Sequence, residues 1–423
     1  MKCLVIGSGA REHAIAASLL RDPSVSELLV APGNAGIEQL APCRPIDVKD
    51  PVAIADLAVE FNADLVVIGP EVPLMAGAAN ELAERGIPCF GPHKEAAFIE
   101  GSKAFCKEVM AEANIPTAMA HVCDTEEQVV RALDSFGAPY VVKDDGLAAG
   151  KGVVVTSDRD EALEHARACL ATGNKLVIEE FLDGPEVSLF GISDGTTVIP
   201  LQPAQDFKRV GEGDTGLNTG GMGAYSPLPW VPADVVAEVT ERVLQPMATA
   251  LKNRGTPFVG VLYAGLAMTS RGIRVIEFNA RFGDPETQVV LDQLETPLGE
   301  FLLAAATGRL AEIAPLVWRP GYSVTVVVAA AGYPSAPATG DPITGIDLAE
   351  ELAGVTVYHA GTQSRGGELV TSGGRVLSVT AHADTLEQAR EQAQRAAALI
   401  TISGSHFRRD IAQLAAQGRI SLQ

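Results

Sequence analysis

Short apolar runs alternate with amphipathic stretches along the first ninety residues. The pattern predicts two helices, over "AIAASLLR" and "AANELAERG", and four strands, over "CLVIG", "ELLVAPG", "DLVVIGPE" and "IPCFGP". Strands separated by helices predict a doubly wound parallel sheet. Ligands of such sheets bind beyond the carboxyl ends of the strands, so we expect a ligand at the loops "GSGAREH", "APGNAG" and "GPEVP".

The remaining pattern divides the chain further. A helix over "GSKAFCKEVMAEANIP" is capped by Ser102, and a small α/β lobe follows at about 120–190. Next come a glycine-rich loop, "QDFKRVGEGDTGLNTGGMGAYSP", and the strand pair "FVGVLYAGLAM" and "RVIEFNARFGDPETQ". A buried strand, "SVTVVVAAAG", opens the last part. We predict three domains, at residues 1–101, 102–321 and 322–423.

The composition is that of an ordinary globular protein, with 47% hydrophobic and 20% charged residues. No apolar run approaches the ~20 residues of a membrane helix. The amino terminus predicts a first strand and not a signal peptide, so we expect a cytoplasmic protein with no membrane partner. The six cysteines show no paired CxxC spacing, which argues against structural zinc and disulfides.

The net charge of −21 argues against a nucleic-acid surface, because phosphate backbones require clustered Lys and Arg. Small phosphorylated ligands remain possible, since four cations lie in glycine-rich stretches: Arg11, Lys143, Lys151 and Arg281. No serine lies in a GxSxG motif, and no histidine has a metal-ligand spacing. Covalent serine catalysis therefore has no support.

The stretch "VVKDDGLAAGKGVVV", residues 141–155, combines two lysines with a glycine-rich centre. It is not a P-loop, because only three residues separate Gly146 from Gly150 and a glycine follows Lys151. Valine-rich runs on both sides predict a β-hairpin instead. We expect its basic tip to cover nucleotide phosphates.

In "RVIEFNARFGDPE", strand alternation places Glu277 and Asn279 on one face, and Ile276 and Phe278 on the other. One anionic and one neutral oxygen ligand suit a magnesium ion that also binds phosphate. Arg281 continues that face, either as a cation for the same phosphate or as a bidentate clamp for a carboxylate. A half-solvated strand with a surface salt bridge is the alternative.

Two further motifs remain ambiguous. The loop "GSGARE" has Glu12 at the third glycine of a dinucleotide fingerprint, although a phosphate at the start of the next helix still fits. In "VIEEFLDGPEVS", Glu179 and Glu180 either cap a nucleotide-binding strand or form a solvated edge.

Taken together, the lysine hairpin, "EEFLDGPE", "NTGGMGAYSP" and "EFNARFGDPETQ" resemble the ATP-grasp enzymes. The resemblance extends to the glycinamide ribonucleotide synthetase family through "VIGSGAREHA", "VAPGNAG", "GPEVPL", "GSKAF", "GGRVLSVTA" and "FRRDI". It implies an ATP-grasp core of two α+β lobes, with a substrate-binding α/β domain before it and a small carboxy-terminal α/β domain after it. The implied reaction joins glycine to 5-phosphoribosylamine through glycyl phosphate, giving glycinamide ribonucleotide, ADP and phosphate in purine biosynthesis.

The resemblance also implies roles for single residues. Glu277 and Asn279 would bind Mg²⁺ or Mn²⁺, and Arg281 and Lys143 would be catalytic. The implied ATP site comprises Lys103, Lys143, Gly146, Gly150, Lys151, Glu179, Glu180, Phe181, Leu182 and Glu186. The implied substrate sites comprise Gly9, Ala10, Arg11, Glu12, Glu71, Asp206, Lys208 and Asp284. We expect small-molecule partners only, and a monomer or weak homodimer.

Two other functions remain open. One is another ATP-grasp enzyme, such as a different carboxylate–amine ligase or purine-pathway enzyme, and the other is a dinucleotide-binding redox protein. The sequence departs from the family pattern at Asp144, Phe207, Ala280 and Ala412, so we expect no catalytic role for these side chains. The length of 423 residues leaves no room for a fused pathway domain, which predicts a single activity.

Overall fold

The computed structural model describes residues 1–146 and 152–422. The amino-terminal part is a four-stranded sheet in the order β2-β1-β3-β4, with every neighbouring pair parallel. Its elements are β1 Lys2–Gly7, α1 Ala10–Leu20, β2 Glu27–Pro32, α2 Pro51–Phe61, β3 Leu65–Ile68, α3 Glu71–Ala76, α4 Ala78–Glu84 and β4 Cys89–Phe90. Leu4 and Ile6 pack into one core, whereas Cys3 and Val5 pack into another, so both faces are covered. The predicted doubly wound parallel sheet is confirmed.

A small lobe with its own core comes next. Its elements, with the two helices that lead into it, are α5 Lys94–Gly101, α6 Lys103–Glu112, β5 Ala120–Cys123, α7 Glu126–Phe136, β6 Tyr140–Asp144, β7 Val153–Thr156, α8 Arg159–Ala171 and β8 Leu176–Glu179. The Ser102 hydroxyl accepts from the N–H of Phe105, which confirms the predicted cap of α6. Strands β6 and β7 form the predicted hairpin, with Lys143 opposite Val153. Gly150 and Lys151 of its tip lie outside the described residues.

The second lobe is built on the antiparallel sheet β10-β9-β15-β16. Its elements are β9 Glu186–Asp194, β10 Val198–Pro200, β11 Gln205–Asp206, β12 Arg209–Gly211, β13 Thr215–Asn218, β14 Gly223–Ser226, α9 Val235–Val239, a π-helix Thr240–Leu244, α10 Gln245–Asn253, β15 Val259–Thr269, β16 Gly272–Asn279, α11 Glu286–Gln293 and α12 Leu298–Ala306. The register of β15 against β16 shifts between Gly265 and Leu266. This bulge leaves Ile276 as an extra residue, so the strict alternation expected along β16 is interrupted next to Glu277.

The carboxy-terminal part completes a five-stranded sheet in the order β11-β14-β17-β21-β18. Its elements are β17 Tyr322–Ala329, α13 Ile346–Glu350, β18 Val355–His359, β19 Thr362–Arg365, β20 Glu368–Thr371, β21 Arg375–Ala383, α14 Leu386–Ala397 and α15 Gln413–Ala416. Strand β14 precedes the predicted boundary at 321/322 yet pairs with β17 across it. No helix in the described ranges is long and apolar enough to cross a membrane.

Ala412, one of the positions that depart from the family pattern, has an unusual backbone conformation. Ala412 has φ of 60°, in the left-handed region that glycine adopts without strain. This backbone conformation explains why a glycine suits the position after "RRDI", where this chain carries alanine.

Two buried histidines join the amino-terminal and carboxy-terminal parts. The N–H of His359 donates to Nδ1 of His13 at 2.9 Å, so His13 must be unprotonated there. The Asn34 amide donates to the carbonyl of His359 at 2.8 Å. Burial lowers the pKa of His13 to about 3, with His359 adding to the effect, and burial lowers the pKa of His359 to about 4.

We expect the protein to lose stability as the pH falls below about 6.5, the pKa of an unfolded histidine. Both folded pKa values are lower than that, so the unfolded state binds more protons between about pH 6.5 and 4. Each histidine should remove about 2 kcal/mol of unfolding free energy by pH 5. Denaturant unfolding at several pH values measures this slope.

A control variant distinguishes the contribution of these histidines to the acid-induced loss of stability from that of other titrating groups. His359→Gln should flatten the slope, whereas the same change at the exposed His93 should not. An identical acid slope in His359→Gln and the unchanged protein would contradict the assignment.

Candidate active site

A cavity of about 800 Å³ lies between the amino-terminal loops, both lobes and strand β21. Within the part of the chain that the structure describes, it brings together most of the predicted site residues. These are Gly9, Arg11, Glu12, Glu71, Lys103, Lys143, Gly146, Glu179, Asp206, Lys208, Glu277, Asn279, Arg281 and Asp284. The other described candidates do not line it: Ala10, Glu180, Phe181, Leu182 and Glu186.

The amino-terminal loop is organised by Glu12. Gly9 caps α1, and its N–H donates to Oε2 of Glu12 at 2.6 Å. Nε of Arg11 donates to Oε1 of Glu12 at 2.5 Å, and Nη1 of Arg11 donates to the Phe282 carbonyl at 3.0 Å. A Cβ on Gly69 would lie 2.0 Å from Oε1 of Glu12, so the carboxylate fills the space between two strand ends. The start of α1 and Arg11 therefore line the cavity with Glu12 as their carboxylate partner.

Arg281 is held between two carboxylates. Its Nη2 lies 2.9 Å from Oε1 of Glu100, and its Nε lies 3.6 Å from Oε2 of Glu71. Burial alone would lower the pKa of Arg281, but Glu100 and Glu71 outweigh burial and raise it. For Glu71, burial acts upward on the pKa, but Arg281 and Arg11 together with hydrogen bonds outweigh it, so the pKa falls. Arg281 is thus a permanent cation with a fixed orientation.

Glu179 is buried and not part of a solvated edge, so that alternative is wrong for this residue. Its Oε2 lies 2.8 Å from Nζ of Lys143, and its Oε1 lies 3.0 Å from Nζ of Lys107. Nζ of Lys143 also donates to the Ile276 carbonyl at 3.1 Å. Burial lowers the pKa of Lys107, and Glu179 opposes this effect. The carboxylate therefore fixes Lys143 at the end of β6, beside β16.

The base of the hairpin is tied to the start of α6. Nζ of Lys103 donates to the Gly146 carbonyl at 3.0 Å, and the N–H of Ala104 donates to Oδ1 of Asp145 at 2.7 Å. Burial lowers the pKa of Lys103, and Glu277 opposes the shift. Lys103 and Lys143 thus enter the cavity from two elements that meet at the base of the predicted flap.

Glu277 and Asn279 offer free oxygen atoms to the cavity. Neither side chain has a hydrogen-bond partner within residues 1–146 and 152–422. Burial acts upward on the pKa of Glu277, but Lys208, Lys143, Lys103 and Arg281 outweigh it, so the pKa falls and the carboxylate stays ionised. The described residues contain no group of three or more His, Cys, Asp or Glu that could hold a metal. One carboxylate and one amide therefore fit a divalent ion that takes its other ligands from phosphate and water.

The carboxy-terminal part holds the glycine-rich loop at both ends. Nη1 of Arg375 donates to the carbonyls of Gly220 and Asp284, both at 2.6 Å. Arg408 is buried, donates to the Arg209 carbonyl at 3.0 Å, and its guanidinium lies 5.0 Å from the centre of the Phe207 ring. The aromatic ring at position 207 therefore supports an arginine and takes no part in acid–base chemistry.

Several cavity residues were missing from the candidates, among them Glu100, Lys107, Tyr263, Glu286 and Arg375. Each of these five residues lies in a helix or strand, and the apolar periodicity of such an element does not indicate which of its polar residues is functional. Arg375 lies in "GGRVLSVTA", a motif of the family resemblance, and that motif was the one indication available.

The remaining nucleotide candidates lie where the two lobes join. The N–H of Glu180 donates to the Met119 carbonyl at 3.0 Å, and Phe181 is exposed. Glu186 is exposed and paired with Nζ of Lys208 at 2.6 Å. Their contact with nucleotide stays a prediction.

Family models of phosphoribosylglycinamide synthetase match three successive parts of the chain. The N domain matches residues 1–100, the ATP-grasp (A) domain residues 101–287 and the C domain residues 323–414. Phosphoribosylamine–glycine ligase of Streptomyces coelicolor is 59% identical over 418 residues, covering 98% of this chain and 100% of the relative.

Solved structures agree with these matches. The crystal structure of phosphoribosylamine–glycine ligase from Thermotoga maritima has a TM-score of 0.84 and 33% identity, and covers 97% of this chain and 100% of that chain. The biotin carboxylase domain of 2-oxoglutarate carboxylase from Hydrogenobacter thermophilus, solved with MgADP, has a TM-score of 0.71 at 20% identity and covers 96% of this chain and 91% of that chain. The second likeness shows a shared fold. The chain belongs to the phosphoribosylglycinamide synthetase family, the ATP-grasp phosphoribosylamine–glycine ligases.

Proposed function

We propose that this chain joins glycine to 5-phosphoribosylamine at the expense of ATP, giving glycinamide ribonucleotide, ADP and phosphate, a step of purine biosynthesis. The observation that carries the proposal is the cavity that the start of α1, Lys103, Lys143 and the Glu277–Asn279 pair line together. A carboxylate, a nucleotide and a phosphorylated amine must bind next to one another in one cavity in order to react.

The reaction has two steps. A carboxylate oxygen of glycine attacks the γ-phosphorus of ATP, and the bond from that phosphorus to the bridging oxygen breaks, which releases ADP. The amine nitrogen of phosphoribosylamine then attacks the acyl carbon of glycyl phosphate, loses a proton and displaces phosphate. Both steps depend on charge neutralisation and in-line placement more than on a protein nucleophile.

The cations of the cavity match the first step. Lys143, positioned by Glu179, and Lys103 would neutralise the γ-phosphate, while Arg281 would face the transferring group. Glu277 and Asn279 would hold Mg²⁺ or Mn²⁺, which neutralises phosphate charge when bound. The neighbour from Hydrogenobacter thermophilus was solved with MgADP, which supports a metal–nucleotide complex on this fold.

Other candidates fit the remaining groups of the ligands. Backbone atoms at Glu180 to Leu182 would bind the adenine, and Glu186 the ribose of ATP. Arg11 and the start of α1 would bind the phosphate of phosphoribosylamine, with Glu71 near its ribose or amine. Closure of the hairpin over this assembly would exclude water, which otherwise hydrolyses an acyl phosphate.

The proposed function also depends on how the chain is divided into domains. We infer domains at 1–101, 102–321 and 322–423, the last two joined through the β14–β17 pairing. The lobe at about 120–190 has its own hydrophobic core around Leu133, Val142 and Ile178, which suits a unit that moves as a body. We propose that the protein is a monomer or a weak homodimer.

Phosphate release tests the function. ATP, Mg²⁺ and glycine are incubated with and without phosphoribosylamine formed in place from ribose 5-phosphate and ammonia. We expect release that requires both substrates, together with a product of the mass of glycinamide ribonucleotide. An ATP-binding preparation that releases no phosphate with glycine and phosphoribosylamine, but does so with another carboxylate and amine, would overturn the proposal.

A further inference from the structure

The β12–β13 hairpin interrupts a part of the chain that lines the cavity. Asp206 and Lys208 precede the hairpin, Thr219 and Gly220 follow it, and all four line the cavity. The two strands form a sheet of their own, and the tip between them is exposed. Because a two-stranded hairpin is only marginally stable in water, the positions of these four residues depend on contacts that hold the hairpin from outside.

Residues 408–410, near the carboxyl end of the chain, hold the tip of this hairpin. The N–H of Gly213 donates to Oδ2 of Asp410 at 2.8 Å, and the N–H of Arg409 donates to Oε1 of Glu212 at 3.2 Å. Each bond joins residues that are 197 positions apart in the sequence. The carboxy-terminal part is therefore tied to a loop whose two ends reach the cavity.

Arg408 is the centre of this contact. Its Nη1 donates to the Arg209 carbonyl at 3.0 Å and to Oδ1 of Asp214 at 2.8 Å, so one side chain holds both the first strand and the tip. Asp410 fixes the guanidinium through two further bonds, from Nε to Oδ1 at 2.8 Å and from Nη2 to Oδ2 at 2.6 Å. The Phe207 ring, between the two cavity residues that precede the hairpin, lies 5.0 Å from the guanidinium. These contacts need the planar fork of arginine, because a lysine has three donors on one atom.

We propose, on the basis of the function proposed above, that Arg408 is a positioning residue for the reaction. It holds the β12–β13 hairpin so that the cavity residues on both sides of the hairpin are in place before the substrates bind. Arg408 is 1% exposed and, in the described structure, does not line the cavity, so it acts only through the hairpin.

The proposal predicts which kinetic constant changes. When the hairpin is released, only a fraction of the molecules has the loop in the binding-competent position, and the apparent affinity for a substrate that contacts the loop falls by that fraction. Saturating substrate still selects the ordered loop, so kcat hardly changes. A merely structural role has the opposite signature, because a loss of folded enzyme lowers kcat and leaves KM as it was.

The first experiment is Arg408→Lys, which keeps the charge and removes the fork. We expect the KM for glycine, for phosphoribosylamine or for both to rise about 10- to 100-fold, the range for lost hydrogen bonds between charged groups, with little change in kcat. Arg409→Lys is the matched control, because the neighbouring side chain is exposed. Denaturant unfolding of both variants shows that the enzyme assayed is folded.

Limited digestion with trypsin gives a readout that does not depend on activity. Trypsin cleaves after lysine and arginine, and Lys208 and Arg209 lie at the start of the hairpin. In Arg408→Lys, cleavage at these two positions should become faster by a factor similar to the rise in KM, while cleavage elsewhere keeps its rate. Faster cleavage throughout the chain would indicate global unfolding and would contradict the proposal.

A second variant keeps the proposal testable if Arg408→Lys does not fold. Asp214 is exposed and has φ of 54°, a conformation that asparagine tolerates, so Asp214→Asn removes one charge facing Arg408 without disturbing the core. A smaller rise in the same KM is expected. If the folded variants keep their KM values and their resistance to trypsin, or lose kcat alone, the positioning role is refuted. If the unchanged protein shows no turnover with glycine and phosphoribosylamine, the proposed function fails, and faster trypsin cleavage in Arg408→Lys would then show a structural tether only.

Discussion

Glu277→Gln should lower kcat by about 10²- to 10³-fold in a protein that still folds. The substitution removes one negative charge from a cavity that contains Lys103, Lys143 and Lys208. It leaves no hydrogen bond broken within the described parts of the chain, and glutamine has the same shape. The loss of activity should therefore come from the proposed metal and phosphate chemistry and not from unfolding.

The measurement is kcat at a series of Mg²⁺ concentrations. A weakened metal site should recover part of its activity at high Mg²⁺, whereas Asn279→Asp should keep substantial activity because it retains an oxygen ligand. Glu312→Gln, an exposed glutamate remote from the cavity, is the control. Near-normal turnover of Glu277→Gln at ordinary Mg²⁺ would remove Glu277 from the mechanism.

The local pattern was enough for most of the fold. Apolar runs located β1, β2 and β3, and the Ser102 cap located the start of α6. The valine runs around residue 147 predicted the hairpin correctly, since strand periodicity on both sides leaves few alternatives. Helices α2 and α3 were not predicted, although Asp50 followed by Pro51 is a strong helix start.

Site residues could be predicted where they share one helix or strand. They could not be predicted where their role depends on a contact with a residue far away in the sequence. Glu277 and Asn279 share one strand, so alternation places them together. Glu179 meets Lys107 only after β8 packs beside β6 and α6, and Arg375 reaches Gly220 across 155 residues of sequence. Such contacts depend on tertiary packing, for which residue spacing carries no information.

Replacing Lys143 tests protein stability as well as phosphate binding, because the lysine is buried against a carboxylate. Lys143 is 4% exposed and neutralises Glu179, so its ammonium acts on the fold as well as on any bound phosphate. After removal of Lys143, Glu179 would keep Lys107 at 3.0 Å and would not be left unpaired. A moderate stability loss of about 1–3 kcal/mol is therefore expected, well short of unfolding.

Lys143→Met should lower kcat/KM for ATP by about 10²- to 10³-fold and leave phosphoribosylamine binding unchanged, because the arginine and helix start proposed for the second substrate lie on other elements. Steady-state kinetics at a series of ATP concentrations measures the effect. The control is Lys175→Met, at an exposed lysine of the same lobe.

The double variant Lys143→Met/Glu179→Gln distinguishes the role of the lysine in stability from its role in ATP turnover. Neutralising the carboxylate also removes the charge partner of Lys107, so the stability should fall further and ATP turnover should stay low. Full kinetic recovery in the double variant would mean that Lys143 serves the fold alone, and that the phosphate charge is met by Lys103 and Arg281.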